Sequence, residues 1–160
     1  MKLHLSCIGR LKSGPEKTLA DDYLTRINQL GKSAGLKSLV VHEMAESQKA
    51  TAAQRGADEA AYLWSTAPSG VTTIVLDERG SSLSSEQFAQ LIRKFADSAQ
   101  SDLAFLLGGP DGHAPETRTK ANHVIALGSM TWPHRLARIM VLEQIYRAVT
   151  IMVNHPYHRP

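Results

Sequence analysis

The chain predicts an α/β domain in which a mostly parallel sheet is flanked by helices, and three observations lead there. Short apolar runs rich in β-branched residues alternate with longer stretches of helical period, the pattern of repeated strand and helix units. One run, LAFLL at 103–107, is apolar at every position, which suits a central strand covered on both faces. The 160 residues fit one core and would leave two marginal ones if divided, so residues 1–160 read as a single domain.

In order, KLHLSCI (2–8) is a first strand. Gly14 and Pro15 then open a helix with Leu19, Tyr23, Ile27 and Leu30 on one stripe, because proline is tolerated in a first turn whose N–H groups have no helical partner. KSLVVHE (37–43) is a second strand, and a polar, alanine-rich stretch from 47 to 65 reads as a second helix ending before the turn Pro68-Ser69-Gly70. VTTIVLD (71–77) is a third strand. Ser84 and Gln87 make a capping box for a helix carrying Phe88, Leu91, Ile92 and Phe95. LAFLL runs into GGPDG (108–112), a short helix covers 115–121, and HVIAL (123–127) is the last strand. The loop GSMTWP (128–133) leads to a long helix over 134–153.

That last helix is apolar around much of its circumference, with Leu136, Ile139, Met140, Val141, Leu142, Ile145, Val149, Met152 and Val153. One core stripe does not need so many, so a second packing surface is expected, supplied by a second copy of the chain in a homodimer. Within it, Glu143 and Arg147 stand four residues apart and are read as an ion pair rather than as a catalytic base.

Composition excludes several classes. With 42% hydrophobic and 21% charged residues the chain is neither disordered nor dependent on disulfides, and its single cysteine, Cys7, sits in an apolar strand as a small buried hydrophobe. The apolar start is short and broken by His4 and Gly9, too little for a leader or a membrane span, which points to the cytoplasm and to no membrane partner. No GxGxxG follows the first strand and no GxxxxGK[ST] occurs, which argues against dinucleotide and P-loop chemistry. His155 and His158 have metal-pair spacing but no cysteine or acidic cluster beside them, so no metal is expected. The net charge of +3 permits an anionic partner, and the placement of Arg118, Arg135, Arg138, Arg147 and Arg159 with three histidines in the last third suggests a basic face there.

Open α/β sheets bind ligands beyond the carboxyl ends of their strands, so the turns LDERG (76–80), GGPDG (108–112) and LGSMTWP (127–133) are the candidate site. Gly108 and Gly109 let a ligand approach the backbone closely. At the other end of the long helix, His155 and His158 are able to accept a proton near neutral pH, and Tyr157 between them offers a ring for stacking.

Taken together, LLGGPDG, ALGSMTWPHRLARIMVLEQIYRA and NHPYHR resemble the SPOUT-class enzymes that methylate N3 of a pseudouridine in large-subunit (23S) ribosomal RNA. The resemblance spans essentially the whole chain and is densest after Leu76. It implies a C-terminal trefoil knot, S-adenosylmethionine as cofactor, a homodimer that completes each site, and the assembled ribosome or its large subunit as partner. The positions matching the donor site are Leu76, Gly108, Gly109, Leu127, Gly128, Ser129, Met130, Thr131 and Trp132. Arg135, Arg138 and Tyr157 are assigned to RNA, His155 or His158 to proton transfer, and Arg159 or Arg138 to stabilising the resulting anion. A non-catalytic RNA-binding module and a small-molecule enzyme using the same glycine turns are the rival readings, and donor binding separates them.

Overall fold

The computed structural model describes residues 1–98 and 102–158. Its elements run β1 (Lys2–Ile8), α1 (Pro15–Leu30), a 3-10 turn (Gly31–Ala34), β2 (Ser38–Met44), α2 (Ala52–Thr66), β3 (Thr72–Ser82), α3 (Ser85–Asp97), β4 (Asp102–Leu107), α4 (Pro115–Lys120), β5 (His123–Ala126) and α5 (His134–Met152). The five strands form one sheet in the order β2-β1-β4-β3-β5, every pairing parallel. All their carboxyl ends therefore lie along one edge, which gathers the three candidate turns.

A parallel sheet must bury both faces, and the side chains alternate accordingly. Leu3, Leu5, Ile74 and Phe105 point to one side, where Ile27 of α1, Ile92 of α3 and Ile145 of α5 close over them. Ile8, Val75 and Leu106 point to the other, under Leu63 of α2. Helix α5 lies between α1 and α3. Of its apolar residues, Val141, Leu142, Ile145 and Val149 are fully buried, whereas Ile139, Met140 and Met152 are half-buried and Leu136 is 44% exposed. The helix thus keeps an uncovered apolar strip.

Two boundaries differ from the sequence reading for physical reasons. Helix α2 begins at Ala52 rather than at 47, because Thr51 and Gln54 form its capping box, while Ser47 bonds to Asp58 and Glu59 from outside the helix. Strand β3 continues past its apolar run to Ser82, since the polar residues Ser81 and Ser82 pair with Ile125 and Ala126 of β5. Ile125 is therefore partnered by Leu76 before the irregularity and by Ser81 after it. The turn between them wraps closely against β5, which is compatible with the threaded arrangement expected from the resemblance.

Cys7 is completely buried on β1, and desolvation pushes its thiol up to about 12. A thiol-specific reagent such as dithionitrobenzoate is expected to leave the native chain unlabelled and to react once per chain after denaturation; labelling of the native chain at the rate of a free thiol contradicts this burial.

Candidate functional site

The carboxyl edge of β3, β4 and β5 opens into a cleft of about 780 Å³. Eight of the nine donor-site positions line it: Leu76, Gly108, Gly109, Leu127, Gly128, Met130, Thr131 and Trp132. Ser129 is the exception, an exposed residue outside the wall. Local packing explains a glycine in the cleft wall. A Cβ at Gly109 would fall 2.8 Å from Ile8 Cγ2 and 3.3 Å from Glu59 Oε2, so only glycine lets the 108–112 turn settle onto the end of β1. Trp132 is fixed by donating its indole N–H to the Leu127 carbonyl at 3.2 Å, which closes the 127–132 loop on itself.

Two residues the sequence reading did not single out, Asp77 and His113, hold these turns together with Arg118, which was read as part of a basic face and is instead paired within the chain. Asp77, half-buried, accepts the Arg79 N–H at 3.0 Å and pairs with Arg118 of α4 at 3.1 Å. Arg118 also donates to the His113 carbonyl at 3.0 Å. His113 places Nε2 at 3.1 Å from both the Gly108 amide nitrogen and the Leu76 carbonyl oxygen. Burial drives its pKa below the ordinary imidazole value, against the opposing pull of Asp77. No periodicity marks these residues. Their one local signal is position, directly after or within the turns of the site.

A second cavity of about 310 Å³ shares Leu76, Leu127 and Gly128 with the first and continues to Met140 and Gln144 of α5. Beside it, the Ser85 hydroxyl donates to Gln144 Oε1 at 2.8 Å. Behind the 108–112 turn, Glu59 is 4% exposed; its Oε1 accepts the Ser47 N–H at 3.0 Å, and burial raises its pKa. That carboxyl braces the turn from outside the cleft.

The C-terminal candidates are distributed otherwise than expected. Arg138, assigned to RNA and to anion stabilisation, is 2% exposed. Its guanidinium pairs with Glu43 of β2 and donates to the Gly9 carbonyl, so it ties the first turns of α5 to the ends of β1 and β2 and offers nothing to an external ligand. Arg135 is exposed on the first turn of α5, beside the cleft residue His134. Tyr157, also assigned to RNA, is engaged within its own chain: its hydroxyl donates to Glu143 at 3.1 Å, its ring meets Tyr146 edge-on at 4.8 Å, and the Arg147 guanidinium lies over it at 5.0 Å. The Glu143 to Arg147 ion pair is present at 2.6 Å and forms the base of this latch. His158 lies 3.2 Å from Glu86 of α3, and His155 accepts the Tyr157 N–H at 3.2 Å. Neither histidine lines the cleft of its own chain. Arg159 lies outside the described residues. Among the described residues no cluster of three or more histidine, cysteine or acidic side chains is arranged to hold a metal, and no helix is long and apolar enough to cross a membrane.

Residues 1–158 match the family model described as a predicted SPOUT methyltransferase. The chain is 45% identical over 159 residues to the ribosomal RNA large subunit methyltransferase H of Nitrobacter winogradskyi, covering 99% of both chains. It is 48% identical over the same length, with 99% of both chains covered, to the protein of that name from Sinorhizobium medicae. A probable methylase family protein from Haemophilus influenzae shares the fold, with a TM-score of 0.51 at 15% identity over 99% of this chain and 70% of the other.

Proposed function

Since the chain belongs to the SPOUT methyltransferase family, we propose that it methylates N3 of a pseudouridine in 23S ribosomal RNA, with S-adenosylmethionine as donor. The observation that carries this reading is the meeting of the three turns in one cleft at the carboxyl edge of the sheet. The residues fit such a donor: Leu76, Gly108 and the 127–132 loop apart from Ser129 surround a space lined by both apolar and polar residues, and the glycine at 109 lets the turn pack onto the end of β1. When bound, the donor supplies an electrophilic methyl group on a sulfonium.

The chain's own task is alignment. Methyl transfer is an in-line displacement, so a rigid wall that fixes the donor while the acceptor nitrogen approaches accounts for most of the expected rate gain. The acceptor imide must lose its proton, and His155 or His158 is the group of suitable type. Neither lines its own cleft, which supports a site completed by the tail of a second subunit. The uncovered strip of α5 at Leu136, Ile139 and Met140 supports the same homodimer. Light scattering is expected to give a mass twice that of one chain. Arg135, exposed beside the cleft, is assigned to RNA phosphate, and a ribosomal substrate supports a cytoplasmic location.

The test is mass spectrometry of 23S RNA from cells lacking this protein, which should lose one methyl group from a pseudouridine and regain it on complementation. With purified ribosomes and labelled donor, His155→Ala and His158→Ala are expected to leave donor affinity unchanged, and the one that serves as base to lower turnover about 100-fold. Full turnover in both variants removes the histidines from proton transfer. Absence of donor binding favours the non-catalytic RNA-binding reading, and methylation of a free nucleoside favours the small-molecule enzyme.

A further inference from the structure

We propose that His113 is a positioning residue for the donor, its Nε2 setting the spacing between the Leu76 carbonyl and the Gly108 amide. The proposal rests on the donor reading above and goes beyond it, since it gives a role to a side chain outside the nine donor-site positions.

The geometry begins with the sheet. β3 and β4 are paired up to Leu76 and Leu107, where their ladder ends. One step further, at Gly108, the two chains have no ladder bond to hold them, and the His113 ring takes its place with 3.1 Å contacts to each side. The ring is itself clamped. An ideal Cβ at Gly108 would lie 3.3 Å from both Cδ2 and Cε1 of His113, so the imidazole lies flush against that backbone. The His113 carbonyl is held by Arg118, whose Nη1 also binds Asp77, and the same guanidinium therefore braces the irregularity within β3 and the turn after β4.

One ring nitrogen cannot accept from the Gly108 N–H and donate to the Leu76 oxygen at the same moment. With the proton on Nδ1, Nε2 accepts from Gly108; with the proton on Nε2, it donates to Leu76. The charged ring is restricted to the Leu76 bond, releases the Gly108 amide, and sets a positive charge beside the pocket of a cationic donor. The ionisable groups facing the ring are Asp77 and Arg118, which are paired with each other.

Titration calorimetry of the full chain with S-adenosylmethionine at about pH 7.5 and about pH 5.5 tests this. His113→Leu, which lacks the nitrogen, is expected to bind about tenfold more weakly at the higher pH with a melting temperature close to wild type. His113→Gln, whose amide supplies both an acceptor and a donor, is expected to stay within about threefold. Wild type should weaken on acidification, and both variants should show a flatter profile. Equal affinity of wild type and His113→Leu at both pH values overturns the role of His113 and leaves the donor reading standing. Absence of binding by wild type overturns the donor reading itself, and this proposal with it. Should His113→Leu not fold, the glutamine variant decides: a flat profile supports the proposal, and a wild-type slope overturns it.

Discussion

Glu43→Ala is expected to destabilise the chain by about 2–3 kcal/mol, more than Arg138→Met does, although the two residues form one ion pair. The asymmetry follows from burial. The Arg138 side chain is 3% exposed and the Glu43 side chain 30%. Without Glu43, a cation stays in the interior with the Gly9 carbonyl as its remaining acceptor, and the Leu11 N–H loses the carboxylate it now reaches at 3.1 Å. Without Arg138, Glu43 keeps the Leu11 bond and turns its free oxygen towards water, while methionine refills much of the volume, so about 1 kcal/mol is expected. Breaking a buried pair by removing one partner costs about 3–5 kcal/mol, and the partial exposure of Glu43 lowers that figure here. Urea denaturation of the two single variants and the double variant measures it. The double variant should be more stable than Glu43→Ala alone, because the orphaned cation is gone. Equal losses from the two single variants contradict the assignment of Arg138 as the buried partner. A functional consequence accompanies the loss: α5 starts directly after the 127–133 loop, so releasing its tie to Glu43 of β2 should also weaken donor binding.

This pair also shows where the sequence becomes silent. Arg138 and Glu43 are 95 residues apart, and an arginine in a basic C-terminal third reads as a surface group until the partner strand is known. The local signals were strong for what is local: all five strands and the longer helices follow from period and capping, and the three turns of the cleft follow from the rule that ligands sit beyond the carboxyl ends of parallel strands. Sheet order is a matter of long-range pairing and left no local trace. The extension of β3 to Ser82 was hidden because its last residues are polar and their pairing, rather than any apolar pattern, makes them a strand. The cleft positions at 76, 108–109, 127–128 and 130–132 were legible from glycine and proline motifs together with the family resemblance, whereas Ser129 of the same loop lies outside the wall. His113, Asp77 and Arg118 were not, because their role is to bond one turn to another across the sheet edge.

Gly80→Ala is expected to be among the most damaging single-methyl changes available in this chain. A Cβ at Gly80 would lie 2.6 Å from the backbone C and N of Ile125 and from the backbone C of Val124. Side chains are able to swing away from such a contact, but backbone in a paired strand does so only by moving the strand. β5 cannot move freely, because Ile125 is partnered by Leu76 on one side and by Ser81 on the other, on either limb of the turn that contains Gly80. Overpacking in an ordinary core costs about 1–3 kcal/mol. With no flexible side chain to absorb the methyl, a loss at or above the top of that range is expected, seen as a fall of about 6–12 °C in melting temperature for a chain of this size. Displacement of β5 also displaces Leu127 and the loop after it, so any folded fraction should bind the donor more weakly than wild type. Gly56→Ala makes the opposite control: it lies within α2, where its Cβ would meet Ala114 Cβ at an ordinary 3.7 Å, and removing a helical glycine should stabilise by about 0.5–1 kcal/mol. A Gly80→Ala protein that melts at or above the wild-type temperature would show that β5 has room to yield and that the turn at 77–81 does not grip it.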